Sequence, residues 1–450
     1  MVDLRRRRLL ASGLAASALG ALPWRGLLAA VARLPLAAAA DRSTGLPLLE
    51  LPPGFEYLSF GWAGDPLADG TPTPPRHDGM AVVRQRGARL WLVRNHEIAN
   101  DDGAFLSGAA IYDPAASGGC TALEFDAQAG RLVAARGVLA GTTWNCGGGP
   151  TPWGSWLSGE ERVASVGDPH EREPRALRFT KDHGFVFEVD PRGGPARPLP
   201  ALGRFVHEAA AVDPVRGQVY LTEDRRTGGL YRFTPAVAGQ LARGGVLEML
   251  AAEGAPDLRR GVRRDHAYPV RWARIEDPLR AHGPGSRDQL GVFSQGAAQG
   301  GSAFARPEGC WFGGGALHFT TTAGGDAASG QVWRYDPRRA ELRLAFESPG
   351  HEALSGPDNL TLTPHGGLLV CEDGDRDQQR LIAIGRDGRA TEFARNAIRL
   401  DGERHDIAGD FRDQEWCGAS FSPDGRWLFA NVQTPGISFA ITGPWRDLGW

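Results

Sequence analysis

The sequence predicts an all-β fold, a six-bladed β-propeller with loop and short helical insertions. Three observations carry this. Short runs rich in aromatic and β-branched residues are bounded by Gly, Pro or Asp. One strand–turn–strand grammar recurs along the chain, and long helical periodicity is scarce. The 62 glycines and 32 prolines suit many tight turns between short strands.

The N-terminus comes first. "RRRRLLASGLAASALGALPW" (Arg5 to Trp24) joins a basic start to an Ala/Gly-rich, weakly apolar stretch. "LAAAADRS" then offers small-residue cleavage choices near Ala38 to Ala40. This is the layout of an export signal, and arginines set directly before the apolar run predict the twin-arginine route. Residues 1–40 are therefore expected to be a twin-arginine-type signal peptide. The mature domain, a single propeller, is expected over 45–450, in the periplasm or secreted. Pro23, Arg25 and Arg33 interrupt any apolar run near the ~20 residues a membrane span needs. No later segment could span a membrane.

The strand runs follow in order: Arg89–Asn95, Phe185–Asp190, Gln218–Asp224, Ala316–Thr322, Gln331–Asp336 and Leu368–Gly374. The repeat is visible in "AAAVDPVRGQVYLTEDRRTGGLYRF", "GCWFGGGALHFTTTAGGDAASGQVWRY", "DNLTLTPHGGLLVCEDGDRDQQRLIAI" and "GASFSPDGRWLFANVQTPGISFAI". Units on the order of 50 residues apart have blade spacing. Leu241 to Leu290 reads as an insertion. The best helical candidate is short, "PAVAGQLARGG" (Pro235 to Gly245).

Bulk numbers exclude some functions. Hydrophobic residues make up 42% and charged residues 23%, which is globular. A net charge of −3 gives no pull toward nucleic acid. Five scattered cysteines (120, 146, 310, 371, 417) contain no CxxC pair, which excludes zinc-ribbon and thioredoxin motifs. No GxSxG or GxxxxGK[ST] occurs, so serine-hydrolase and P-loop chemistry fall away.

Propeller loops gather round a channel, so polar residues at equivalent places in the repeats should converge. Those places are acidic: Asn95-His96-Glu97, Glu160-Glu161, Glu208, Glu223-Asp224, Glu308, Asp358-Asn359 and Glu372-Asp373. Carboxylates aimed into one channel repel each other and call for cations, and calcium suits many oxygen ligands. Any one pair alone would read as a solvated turn. Cys146, in "WNCGGGPTPWGSWLSGEE", suits a softer metal such as iron or zinc. Taken alone it would be a buried structural thiol. Arg306, in "RPE", suits a phosphate oxyanion through its planar fork. A surface salt bridge is the plain alternative.

These residues carry a family resemblance. "HDGM" (77–80), "LVRNHE" (92–97), "NCGGGPTPWGSWLSGEE" (145–161), "GRFVHEAAAVDP" (203–214), "VYLTEDRRTGGLYRF" (219–233), "RPEG" (306–309), "GPDNL" (356–360) and "FSPDGRWLFANVQTPG" (421–436) resemble the PhoX-type secreted phosphatases. The resemblance implies a six-bladed propeller holding iron and calcium that cleaves phosphomonoesters. It implies iron at Cys146, Glu208 and Glu308, and calcium at Glu160 and Glu161. Asn95, His96, Glu223 and Asp224 resemble further calcium ligands, and Arg306 the phosphate-binding arginine. It also implies a monomer acting on a small phosphate ester. The chain departs from the family pattern at Gly159, at Thr434 and at "TTT" (320–322). Two rival readings remain: a calcium-dependent lactonase-like hydrolase with a structural Cys146, and a non-catalytic, calcium-stabilised binding propeller.

Overall fold

In a computed structural model that describes residues 32–170 and 173–450, antiparallel strands dominate. The arginine-led segment Arg5 to Trp24 lies outside the described residues. Ala37–Ala39, which include the candidate cleavage positions Ala38 and Ala39, pair with Leu49–Leu51 and so extend a sheet.

The strands group in chain order. The first unit is His77–Arg86, Arg89–His96, Gly118–Asp126 and Arg131–Thr142. The second is Asn145–Pro150, Trp156–Glu160 and Val186–Val189. The third is His207–Val212, Val219–Glu223, Leu230–Pro235 and Gly245–Ala252. The fourth is Pro307–Gly313, Ala316–Thr321, Gln331–Asp336 and Glu341–Glu347. The fifth begins at Pro357–Leu362 and runs outward through Leu368–Glu372 and Arg380–Ile384 to Ala390–Asn396. In the sixth, Trp416–Phe421, Trp427–Val432 and Ile437–Thr442 are completed by Glu56–Phe60 from the other end of the chain.

The first strand of each unit packs against the first strand of the next, and that of the sixth against that of the first. We read this closed ring of inner strands as six blades around a channel. Each interface between units has its own apolar cluster. Phe60, Phe125 and Phe429 seal the sixth unit to the first. Trp156 and Phe187 pack the first against the second, Leu157 and Phe205 the second against the third. Tyr220 and Trp333 join the third to the fourth, Val332 and Leu360 the fourth to the fifth, and Trp416 and Phe393 the fifth to the sixth. Burying a side chain such as Phe125 contributes about 1.5–3 kcal/mol. Its ring meets those of Phe60 and Phe429 at 5.6 and 5.1 Å, which adds about 1 kcal/mol per pair.

Two sequence expectations need correction. Pro235 to Gly245 is not a helix. It ends a strand at Pro235 and makes one 3-10 turn, Leu241–Arg243. Pro235, Gly239 and Gly244 leave too little uninterrupted helix former. The only α-helix among the described residues is Gly291–Ala297. Nor is Leu241 to Leu290 wholly an insertion. Gly245–Ala252 is the outer strand of the third unit, with Leu247 and Met249 turned into its core. Tyr268–Arg274 adds a further strand and pairs with Glu341–Glu347, joining the outer edges of the third and fourth units.

Candidate metal centre and active site

The site arises from one register repeated six times. The first residue of each inner strand pairs with the last residue of the next strand: His77 with His96, Asn145 with Glu160, His207 with Glu223. The series continues with Pro307 and Thr321, Pro357 and Glu372, Trp416 and Val432. A register shift breaks each ladder next to this pair, or in the sixth unit one pair further on, after Cys417. Bulges re-aim the side chains beside them. The second residue of each inner strand is thus Asp78, Cys146, Glu208, Glu308, Asp358 or Cys417, all buried. The residue that follows the second strand of each unit is Glu97, Glu161, Asp224, Thr322, Asp373 or Gln433.

Glycine after the second position allows close approach. A Cβ at Gly147 would lie 2.6 Å from Glu208 Oε1, and one at Gly309 would lie 2.6 Å from the Asp358 carbonyl. Only glycine lets neighbouring inner strands draw together there.

These rings meet in a cavity of about 350 Å³. Its lining includes Cys146, Glu161, Glu208, Glu308 and Arg306, together with Glu97, Asp358, Asp373, Glu415 and Gln433. Ligand atoms of Cys146, Glu161 and Glu208 lie within 4.8 Å of one another, as do those of Asp78, Glu97 and Cys146. Cys146 Sγ is 3.7 Å from Asp78 Oδ2. Arg306 donates to Asp224 through Nε and Nη2, both at 2.9 Å, and Nη2 lies 2.5 Å from Glu308 Oε1. Gln433 Nε2 donates to Glu97 at 2.6 Å and also to Glu415. The Trp144 indole N–H donates to the other oxygen of Glu97.

The electrostatics are those of crowded, desolvated carboxylates. Burial first, and then neighbouring carboxylates, push Asp78, Glu161, Glu208 and Glu415 well above the usual carboxylate range. Glu308 is raised in the same way despite Arg306. Burial lifts Glu97 to about 7, and burial with Asp373 lifts Asp358 to about 7. Burial, Asp78 and Glu208 hold the Cys146 thiol up. For Arg306, burial opposes the charge, but Glu308 and Asp224 outweigh it. Asp78 Oδ1 and Glu208 Oε1 are buried without a hydrogen-bond partner. Glu308 Oε1 is likewise without a hydrogen-bond partner, and a buried carboxylate oxygen left unpaired beside a thiol and other carboxylates is in place to meet a ligand. Clustered hard oxygens suit calcium, and a thiolate beside carboxylates suits a softer ion. The donor set fits both.

Not every residue nominated from sequence reaches the cavity. Strand alternation separates each acidic pair. Glu160 turns away, accepting from the Gly184 and Phe185 N–H groups and meeting His183 at 2.6 Å, while Glu161 lines the cavity. Glu223 accepts from the Gly229 N–H and the Tyr231 hydroxyl, whereas Asp224 holds Arg306. Glu372 accepts from the Ser355 N–H and Arg380, whereas Asp373 lines the cavity. Asn95 donates to the Cys146 and Gly147 carbonyls and accepts from Ser158 and Trp156, so it braces the Cys146 turn. His96 lies against the Pro75 carbonyl and Thr121, and Asn359 accepts from the Gly418 N–H.

Asp78, Arg76, Asp413, Gln414, Glu415 and Gln433 were not nominated from sequence. Asp78 had a usable signal: "HDG" has the same form as "NCG", "HEA", "PEG" and "PDN" at the starts of the other inner strands.

Fold and site together define a β-propeller with a cavity that gathers buried carboxylates, one thiol and an arginine. The profile of the family described as alkaline phosphatase PhoX matches residues 34–138 and 135–436. The chain belongs to that family. Among solved structures, it is similar to Pseudomonas fluorescens PhoX in complex with vanadate, a transition state analogue. That match has a TM-score of 0.66 at 18% identity and covers 91% of this chain and 97% of that one. A gluconolactonase from Xanthomonas campestris matches with a TM-score of 0.38 at 12% identity, over 82% of this chain and 97% of that one. No curated protein matches the chain in sequence. Among the described residues no helix is long and apolar enough to cross a membrane.

Proposed function

We propose that the chain is a metal-dependent phosphatase that hydrolyses phosphate esters in its channel, in the periplasm or outside the cell. The observation that carries this reading is the convergence of Cys146, Glu161, Glu208 and Glu308 with Arg306 on one cavity, with Asp78 beside Cys146, in a chain of the PhoX family.

Cys146, Glu208 and Glu308 would hold iron, and the carboxylates Glu97, Glu161, Asp358, Asp373 and Glu415 would hold calcium. Bound metal ions supply Lewis-acid polarisation of the phosphoryl oxygens and charge neutralisation in the transition state. Asp224 and Glu308 fix the Arg306 guanidinium by engaging Nε and Nη2. That leaves Nη1 as the donor for a phosphate oxygen, pre-aimed where charge moves during transfer. Asn95 holds the Cys146 backbone in place, and Trp144 and Gln433 orient Glu97.

Elemental analysis of the exported protein beside Cys146→Ala, with a phosphomonoester assay on the same samples, tests the reading. Iron and calcium in the wild type, with iron and turnover both lost in the variant, are expected. Calcium alone, unchanged by the substitution and without turnover, would sink it in favour of a lactonase-like or binding propeller.

A further inference from the structure

The residue just before each inner strand forms a third ring, and four of its members share one unusual conformation. Arg76, Trp144, Arg306 and Gly356 have φ of 55°, 50°, 53° and 58°. The left-handed region costs a non-glycine residue about 1–2 kcal/mol. Strain kept at such positions clusters where side chains are aimed for function. Arg76 precedes the first inner strand and Arg306 the fourth. In a closed ring of six they stand on opposite walls, and both line the cavity.

Their partners differ. Arg306 is tied to two carboxylates, Asp224 and Glu308. Arg76 is exposed at the mouth and donates from Nη1 to the neutral Gln433 amide oxygen at 2.5 Å. Among the described residues it forms no ion pair. Its charge acts on Glu97 at a distance, but its only side-chain hydrogen bond among those residues is to Gln433, so most of its fork is free. A free guanidinium opposite a fixed one matches a ligand that carries more than one negative charge.

We propose that Arg76 is a second substrate-binding arginine. Facing Arg306, it donates to the non-bridging oxygens of a phosphomonoester dianion, so that the site favours monoesters over singly charged diesters. This rests on the phosphatase reading.

The test is direct binding of inorganic phosphate to metal-loaded wild type, Arg76→Ala and Arg76→Lys. It is followed by turnover of p-nitrophenyl phosphate and bis(p-nitrophenyl) phosphate, with metal content measured on every sample. In Arg76→Ala the Kd for phosphate should rise roughly 10- to 100-fold, as for loss of charge-assisted hydrogen bonds. KM for the monoester should rise with it, kcat should change little, and the diester should be nearly unaffected. Arg76→Lys should fall between. Alanine faces the same backbone strain as arginine, so folding is retained. Wild-type-like phosphate binding by Arg76→Ala would overturn the assignment and leave the phosphatase reading standing. Loss of metal with loss of phosphate would also overturn it, because Arg76 would then act through Gln433 on the ligands. No phosphate binding by the metal-loaded wild type would remove the phosphatase reading, and the assignment with it.

Discussion

Glu160 and Glu161 are adjacent in sequence, and the structure gives them opposite work, which a pair of substitutions can separate. Glu160 sits in a fully buried network. Its Oε1 accepts from the Thr143 N–H at 3.1 Å and meets His183 Nδ1 at 2.6 Å, and its Oε2 accepts from the Gly184 and Phe185 N–H groups at 2.7 and 3.1 Å. Glu160→Gln puts an amide N–H against donors and strips His183 of one of its two carboxylates. Breaking a buried ion pair from one side costs about 3–5 kcal/mol. With an unfolding entropy of roughly 2.1 cal/mol/K per residue, 450 residues give about 0.9 kcal/mol/K. The expected fall in Tm is about 3–5 °C, with metal content per folded molecule unchanged. Glu161→Gln should do the reverse. It removes a carboxylate that burial, Glu208 and Asp224 disfavour in its charged form, so the metal-free protein should gain stability at neutral pH. Metal content should fall. Differential scanning calorimetry of chelated and metal-loaded samples, with elemental analysis, reads both effects. A Glu160→Gln protein with wild-type Tm but depleted metal would refute the division of roles.

Further outcomes follow from the same geometry. Chelated protein should lose stability as pH rises from about 4.5 to 7. Glu97 and Asp358 have folded pKa values raised to about 7, so the native state holds their protons longer than the unfolded chain does, and rising pH takes those protons away. Metal-loaded protein should not show this slope, and thermal scans across that window compare the two. For His183, burial opposes the charge, but Glu160 and Asp113 outweigh it and lift the pKa to about 9. Its contribution, about 3 kcal/mol, is fully present below about 6.5 and is lost as pH rises through about 9. His183→Gln should flatten that loss in denaturant melts between pH 6.5 and 9.5. Trp144→Phe removes the indole N–H from Glu97 and should weaken calcium retention against a competing chelator, with the Tm of the metal-free protein little changed.

The fold was legible because its signal is local. Strand composition and turn residues repeat at blade spacing, and the inner three strands of each unit follow that pattern. The outer edges do not. Gly245–Ala252 and Tyr268–Arg274 pair where the ring imposes no common register, so the sequence there reads as an insertion. At the site, the residue types were legible and their direction was not. Which member of Glu160-Glu161, Glu223-Asp224 or Glu372-Asp373 enters the channel depends on alternation beside a bulge, and a one-residue change of register would exchange them. Arg76 carried a usable signal, since "RHDG" has the same form as "RPEG", whereas nothing in the neighbours of Glu415 marks it.

Position alone does not make a ligand. Cys146 and Cys417 occupy the same place in their inner strands, and both are buried. Cys417 Sγ is 3.0 Å from the His77 carbonyl and is absent from the cavity wall. Cys146 instead faces Asp78, Glu161 and Glu208, carboxylates delivered by the strands on either side and by its own hairpin. Those donors are spread from Asp78 to Glu208, and the wider acidic set reaches Glu415. Neighbouring inner strands bring Asp78, Cys146 and Glu208 together, and the packing of the sixth inner strand against the first brings Glu415 to the same cavity. Closing the ring concentrates seven carboxylates that burial disfavours as anions: Asp78, Glu97, Glu161, Glu208, Glu308, Asp358 and Glu415. The repulsion this creates and the cation affinity it supplies are one quantity seen from two sides. Stability of the metal-free protein and metal content should therefore move in opposite directions when a channel-facing carboxylate is removed, whereas removing one of the buried braces behind them should lower stability and leave metal content unchanged.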